Sequence, residues 1–187
     1  MATHPAPYLI SADQFLAMEF GPEEKVELDN GVIRMMGGGT AAHARIQANL
    51  VAALRIKLKG SGCRPYGSDM AARTHDMSVR YPDVTVYCGD ANSPDRDRDT
   101  AFTDPRVVIE VLSPSTSAHD QRVKLAEYHD LPSVDTILFV DPDAERVRVV
   151  QRTSAEGWSD NWLATGSLVD LPSLAVSLSH DDMFARD

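Results

Sequence analysis

Arg106-Val107-Val108-Ile109-Glu110-Val111-Leu112 sets one carboxylate among five aliphatic side chains. A short β-branched run, entered from a polar loop and stopped by Ser113-Pro114, reads as a buried strand. Burying a charged Glu there is costly unless a partner or a metal ion meets it. Upstream, Tyr81-Pro82-Asp83-Val84-Thr85-Val86-Tyr87 opens another β-rich run with a second carboxylate. If the two strands pair, Asp83 and Glu110 can face one pocket. Lys124 then falls on the helix that follows Glu110.

Two adjacent carboxylates resist joint ionisation, because like charges raise a pKa. Mg²⁺ or Mn²⁺ removes the conflict, since hard cations take a few carboxylates together with water and phosphate oxygens. Such a metal acidifies bound water and stabilises charge on a scissile phosphate. Lys124 could orient that water or stabilise the developing oxyanion. Asp120, four residues earlier on the same helix face, could hold the ammonium. This set of groups is what a magnesium-dependent phosphodiesterase requires. The structural alternative is that Asp83 only starts a strand, and that Glu110 is a core carboxylate paired with Arg106 or Lys124.

The rest of the chain reads as α/β, a central mixed sheet with helices on its faces. Ser11 and Gln14 have the spacing of a capping box for a short first helix, ended by Gly21-Pro22. Residues 25–36 read as a hairpin turned at Asp29-Asn30-Gly31. Gly37-Gly38-Gly39 leads to Thr40, the N-cap of a long helix to about Lys59. Ile46, Leu50, Leu54 and Leu58 recur there every fourth residue, so one face packs on a sheet. Strands are expected at about 63–66, 69–74, 81–87, 106–112, 136–140 and 146–152. A polar loop spans about 89–104, and Ser117 caps a helix to about His129. Short strands follow over 158–171, and a small helix lies near Ser179–Phe184. No internal repeat or linker interrupts the 187 residues, which are expected to form one domain over 1–187.

Composition removes several classes. Hydrophobic residues at 43% and charged residues at 25% exclude disordered and fibrous chains. No apolar stretch approaches the roughly 18 residues of a membrane span, and the N-terminus lacks the regions of a signal peptide. Cys63 and Cys88 form no framework of bridges or metal knuckles, so free or buried thiols in a cytoplasmic protein are expected. The net charge of −10 opposes tight nonspecific binding to nucleic acid. Part of the excess is local, with Asp90, Asp95, Asp97, Asp99 and Asp104 in one loop. Residues 55–73 run the other way: Arg55, Lys57, Lys59, Arg64 and Arg73 stand against only Asp69.

The motifs "YPDVTV", "VVIEVLSPST" and "HDQRVKLAEYHDL" resemble the PD-(D/E)XK nuclease superfamily. More narrowly they resemble the Uma-type putative restriction endonuclease family. The likeness extends over about residues 11–180 and includes "KVELDNGVIRMM" and "ILFVDPDAERVRVV". Glu110 to Ser115, followed by Lys124 and Tyr128, is its most specific part. The resemblance implies a restriction-endonuclease-like mixed sheet flanked by helices, with Asp83 and Glu110 as metal ligands. The superfamily's lysine would fall at Leu112; the resemblance implies that its role passes to Lys124. Glu27 matches an N-terminal acidic position and would be a further ligand or orient water. Gly37-Gly38-Gly39 departs from the Ser-Pro-rich turn of other members. The implied reaction is Mg²⁺- or Mn²⁺-dependent hydrolysis of a phosphodiester, with DNA as the expected nucleic acid and a homodimer as a plausible assembly. The rival is a catalytically silent nucleic-acid or protein binding module on the same scaffold. A hydrolase of RNA or small nucleotides is a third reading.

Other residues carry weaker signals. His43 could approach phosphate or a metal, although a helix-start histidine more often caps or packs. The glycine triplet lacks the lysine of a P-loop. Cys63, His75 and Cys88 have no zinc spacing, and Ser113 and Ser115 sit in no nucleophile elbow. Trp158 and Trp162 fit a sheet edge or a dimer contact, and Tyr128 fits core packing beside Lys124.

Overall fold

The computed structural model describes residues 8–21, 24–89, 93–113 and 120–186. Ser11 caps α1 (Ala12–Leu16) through the expected box with Gln14. β1 (Val26–Asp29) and β2 (Val32–Met35) form a hairpin in which Asp29 opposes Val32. Asn30 and Gly31, at φ 48° and 81°, supply the two left-handed residues that a two-residue turn of this kind needs. α2 (Ala41–Lys57) begins at Thr40, whose hydroxyl accepts from the His43 N–H at 3.2 Å.

Two large sheets follow. The first has the order β2-β1-β5-β4-β7, with β4 at Ala71–His75, β5 at Ser78–Arg80 and β7 at Ala101–Phe102. The second holds β3 (Cys63–Gly67), β6 (Val84–Cys88), β8 (Val107–Val111), β9 (Thr136–Asp141), β10 (Arg146–Arg152) and β11 (Trp158–Trp162). Its order is β11-β10-β9-β8-β6-β3; β8 and β9 are parallel and the other pairs antiparallel. β12 (Val169–Leu171) and β13 (Val176–Leu178) make a small hairpin, and α4 (His180–Phe184) follows.

Alternation along β8 sorts the second sheet's two faces. Val107, Ile109 and Val111 join Ile46, Leu50 and Leu54 of α2 in the larger core. Val108 packs on the other face with Ile137, Phe139 and Tyr128. Tyr128 belongs to α3 (Leu125–His129), which is preceded by one π-helical turn over Asp120–Lys124. Glu110 has the parity of Val108, so it points to the α3 side. The expected cap Ser117 lies outside the described residues.

The expected strand over 81–87 is shorter than its sequence suggested. Pro82 has no N–H to give a ladder, and β6 starts only at Val84. β5 ends at Arg80 in the first sheet, so Tyr81-Pro82-Asp83 is the joint at which the chain crosses to the second.

The cysteines differ from expectation. Antiparallel register sets Cys63 opposite Cys88, and the two are joined as a disulfide. Two isolated cysteines gave no spacing pattern to read; the pairing of β3 with β6 is what makes them neighbours. No helix among the described residues is long and apolar enough to cross a membrane.

Candidate active site

Asp83 and Glu110 meet because Val84 opposes Ile109 in the β6–β8 ladder. The Val111 N–H donates to Asp83 Oδ2 at 2.7 Å, which fixes the first carboxylate beside the residue that follows the second. His43 Nε2 stands 3.1 Å from the same Asp83 oxygen. Gln47, one turn further along α2, donates from Nε2 to the Asp83 carbonyl at 2.9 Å. The N-terminal half of α2 therefore forms one wall of the site.

Glu110 is 2% exposed, and α3 supplies its partners. Lys124 Nζ lies 3.3 Å from Glu110 Oε1, and the Tyr128 hydroxyl donates to that oxygen at 2.6 Å. Lys124 and Tyr128 share a helix face, being four residues apart. Lys124 Nζ also lies 3.7 Å from Glu27 Oε2 on β1. Asp83, Glu110, Lys124 and Glu27 thus all line one cleft of about 510 Å³, with His43 and Gln47. Arg106 pairs with Asp135 at 2.8 Å, which leaves Lys124 as the cation beside Glu110. The side chain of Asp120 is outside what is described.

Behind the cleft sits a cation that sequence reading did not single out. Arg80 is fully buried. It donates to Glu27 Oε1 at 3.0 Å, to Asp29 Oδ1 at 2.8 Å and to both oxygens of Glu127 at 2.6 and 2.7 Å. Thr74 adds a hydroxyl to Glu127 at 2.9 Å, and Arg34 pairs with Asp29. Burial alone would depress the Arg80 pKa, but these carboxylates raise it. An available signal was numerical: Glu27, Asp29 and Glu127 all fall in β1 or α3, more acid than Lys124 alone can balance.

The electrostatics follow the contacts. The hydrogen bond to Asp83 raises the His43 pKa above its ordinary 6.5, against the opposing effect of burial. Burial, reinforced by the Glu110 charge, pushes the Tyr128 hydroxyl well above 10, so it stays a donor. Asp29 is pushed up by burial, yet its bonds to Arg80 and Arg34 bring it below 3.8 overall.

The donor chemistry fits a hard divalent cation. Among the described residues, no cluster of three or more His, Cys, Asp and Glu side chains forms a protein-only metal cage. Mg²⁺ needs none: it commonly takes one or two carboxylates and keeps water and phosphate oxygens for the rest. Asp83 is oriented through Oδ2 and Glu110 through Oε1, and both line a cleft with room for water.

Other expected features fall elsewhere. None of the described residues of the acidic 89–104 loop lines the cleft. Trp158 and Trp162 lie on β11 at the sheet edge, beneath Arg152 and Arg146 at 4.4 and 4.5 Å.

This is the restriction-endonuclease-like α/β architecture, a mixed sheet flanked by helices with carboxylates gathered at one edge of a cleft. The chain belongs to the Uma2 family, described as "Putative restriction endonuclease", whose model matches residues 12–180. It is similar to two uncharacterised proteins of Synechocystis sp. (strain PCC 6803). Identity to slr1290 is 29% over 176 residues, covering 94% of this chain and 91% of that protein. Identity to sll1609 is 28% over 151 residues, covering 80% and 85%. A crystal structure from Anabaena variabilis, described as a putative nuclease belonging to DUF820, superposes with a TM-score of 0.77 at 22% identity. It covers 94% of this chain and 98% of that one.

Proposed function

We propose that this chain is a metal-dependent phosphodiesterase, one nuclease-like domain acting on nucleic acid, with DNA as substrate. The observation that carries this reading is the meeting of Asp83, Glu110 and Lys124 on one cleft, with Lys124 Nζ 3.3 Å from Glu110 Oε1. Asp83 and Glu110 would hold Mg²⁺ or Mn²⁺. When bound, the metal supplies a water of lowered pKa and neutralises charge on the phosphate. Lys124, 3.3 Å from Glu110 and 3.7 Å from Glu27, would direct its ammonium at the attacking water or a phosphate oxygen. Tyr128 holds Glu110 in place, and Arg80 holds Glu27. His43 keeps Asp83 turned toward α2 and can hold a proton at Nε2. The reaction would be in-line attack of water on phosphorus.

The second reading, a silent binding module, draws on the net charge of −10 and on carboxylates already balanced by internal cations. The described residues of the 89–104 loop do not line the cleft, so they supply none of the repulsion that would favour this reading. A homodimer would find its surface on edge strand β2, where Val32, Ile33 and Met35 are exposed; sedimentation would detect it.

Cleavage of supercoiled plasmid, single-stranded DNA and RNA with Mg²⁺ or Mn²⁺ tests the reading. Wild-type protein should cut, while Asp83→Ala and Lys124→Ala should lose activity by a factor on the order of a hundred or more. Cutting that both variants retain, or none on any substrate, would overturn it.

A further inference from the structure

The surface that leaves the cleft along α2 carries cations that form no ion pair among the described residues. Gln47, at the cleft, also lines a shallow groove along the exposed side of α2 that ends at Arg55. Arg55 in turn borders a second depression, of about 660 Å³, that holds Lys59 and Arg64. From Gln47 to Arg55 the helix rises about 12 Å. Among the described residues, no acidic one lines either groove. Lys57, on the same stretch of α2, is already paired with Asp182 at 3.1 Å. Among the described residues, no ion pair falls on Arg55, Lys59 or Arg64.

Favourable charge at a helix C-terminus accounts for Arg55. It does not account for Arg64, which projects from β3, or for the convergence of helix, turn and strand on one depression. In a chain of net charge −10, three such cations side by side form a local positive field. Among the described residues, neither groove has an aromatic side chain on which an unpaired base could stack, the usual device of single-strand binding. The complement is a row of phosphates.

We propose that Arg55, Lys59 and Arg64 form a phosphate-backbone track that holds the duplex flanking the bond cut in the cleft. The proposal rests on the nucleic-acid reading above. Small side chains on α2 let a backbone lie close to the helix, and the 12 Å rise matches about three to four base-pair steps. The track supplies affinity and orientation without reading sequence.

The test is fluorescence anisotropy with a labelled 30-base-pair duplex and its single strand, in Ca²⁺ and over a range of salt. The combined Arg55→Gln, Lys59→Gln, Arg64→Gln protein should bind the duplex on the order of a hundredfold more weakly at 0.1 M salt. Its slope of log affinity on log salt should flatten by about 2.7. Arg55→Lys with Arg64→Lys keeps the charge and should keep the slope, which separates loss of cations from loss of fold. Unchanged affinity and slope in the Gln protein, with wild type binding duplex, overturns the track alone. Failure of the wild type to bind any nucleic acid overturns the track and the reading beneath it.

Discussion

Glu127 and Tyr128, neighbours in sequence on α3, are bonded to different sheets. Glu127 takes Arg80 and Thr74 of the first sheet, and Tyr128 donates to Glu110 of the second. α3 is thereby pinned at two successive residues, and Lys124, one turn earlier, can reach both Glu27 and Glu110.

Arg80→Met should be among the most damaging single changes. It leaves Glu27, Asp29 and Glu127 buried without their shared cation, at a cost of about 3–5 kcal/mol. In the wild type, the Asp29 pKa lies below 3.8, so its contribution is full above that value and is lost as pH falls through the lower folded one. In the variant Asp29 keeps Arg34 but loses Arg80, so burial acts on its charged form with less opposition and its folded pKa rises relative to wild type. Its deficit, measured by urea titration, should therefore shrink between pH 7 and pH 4.5; a deficit independent of pH would contradict this account.

Tyr128→Phe keeps the ring packing and deletes a 2.6 Å bond to a buried carboxylate. A cost of about 1.5–3 kcal/mol is expected, read as a lower denaturation midpoint at unchanged slope. Cleavage, where present, should fall more than stability alone explains, because Glu110 loses the donor that orients it.

His43 should titrate above 6.5 in metal-free protein, followed by NMR in the presence of a chelator. Asp83→Asn should bring that value down, since it removes the largest upward influence and leaves only the Glu110 charge and the Val111 backbone contact against burial. A raised folded pKa contributes stability fully below 6.5 and loses it as pH rises through the folded value. The destabilisation caused by His43→Gln should thus be larger at pH 6 than at pH 9. Adding Mg²⁺ should lower the His43 pKa if the ion binds Asp83.

Gly39→Ala tests the same contact by steric means. A Cβ there would lie 2.8 Å from His43 Nδ1 and 3.0 Å from its Cγ. The ring must move, and the raised His43 pKa should relax toward 6.5 in the same NMR titration. An unmoved titration would show that the Gly39 backbone yields instead.

Cys63→Ser with Cys88→Ser removes a link that closes 25 residues of chain. Loop-closure entropy sets an upper scale of about 3.5 kcal/mol. The loss should be smaller, because β3 and β6 remain paired along five residues. Thermal melting of wild type with and without reductant, beside the double variant, checks it.

Legibility in the sequence followed the range of the interactions. The Asn30-Gly31 turn, the Thr40 cap and the fourfold spacing of α2 are local signals, and each appears where the residues imply. Asp83, Glu110 and Lys124 were legible because a carboxylate in an aliphatic strand demands an explanation. Arg80 was not: its partners lie 47 to 53 residues away, and Ser-Val-Arg before Tyr-Pro-Asp looks like ordinary strand end. The sheet-to-sheet crossing at Pro82 was hidden for a related reason. Tyr81 and Pro82 read as the opening of the Val84-Thr85-Val86 strand until pairing partners are known. Cys63 and Cys88 became neighbours only through register.

The joint at Tyr81-Pro82-Asp83 has a consequence for how the molecule comes into being. Glu27 and Arg80 arrive with one sheet, Asp83 and Glu110 with the other, and Lys124 on a helix that both must hold. A chain with either sheet formed alone brings together only part of this group of side chains. The Lys124 contacts with Glu27 and Glu110 are therefore a joint property of both sheets, and their presence reports assembly of the whole domain rather than of either half.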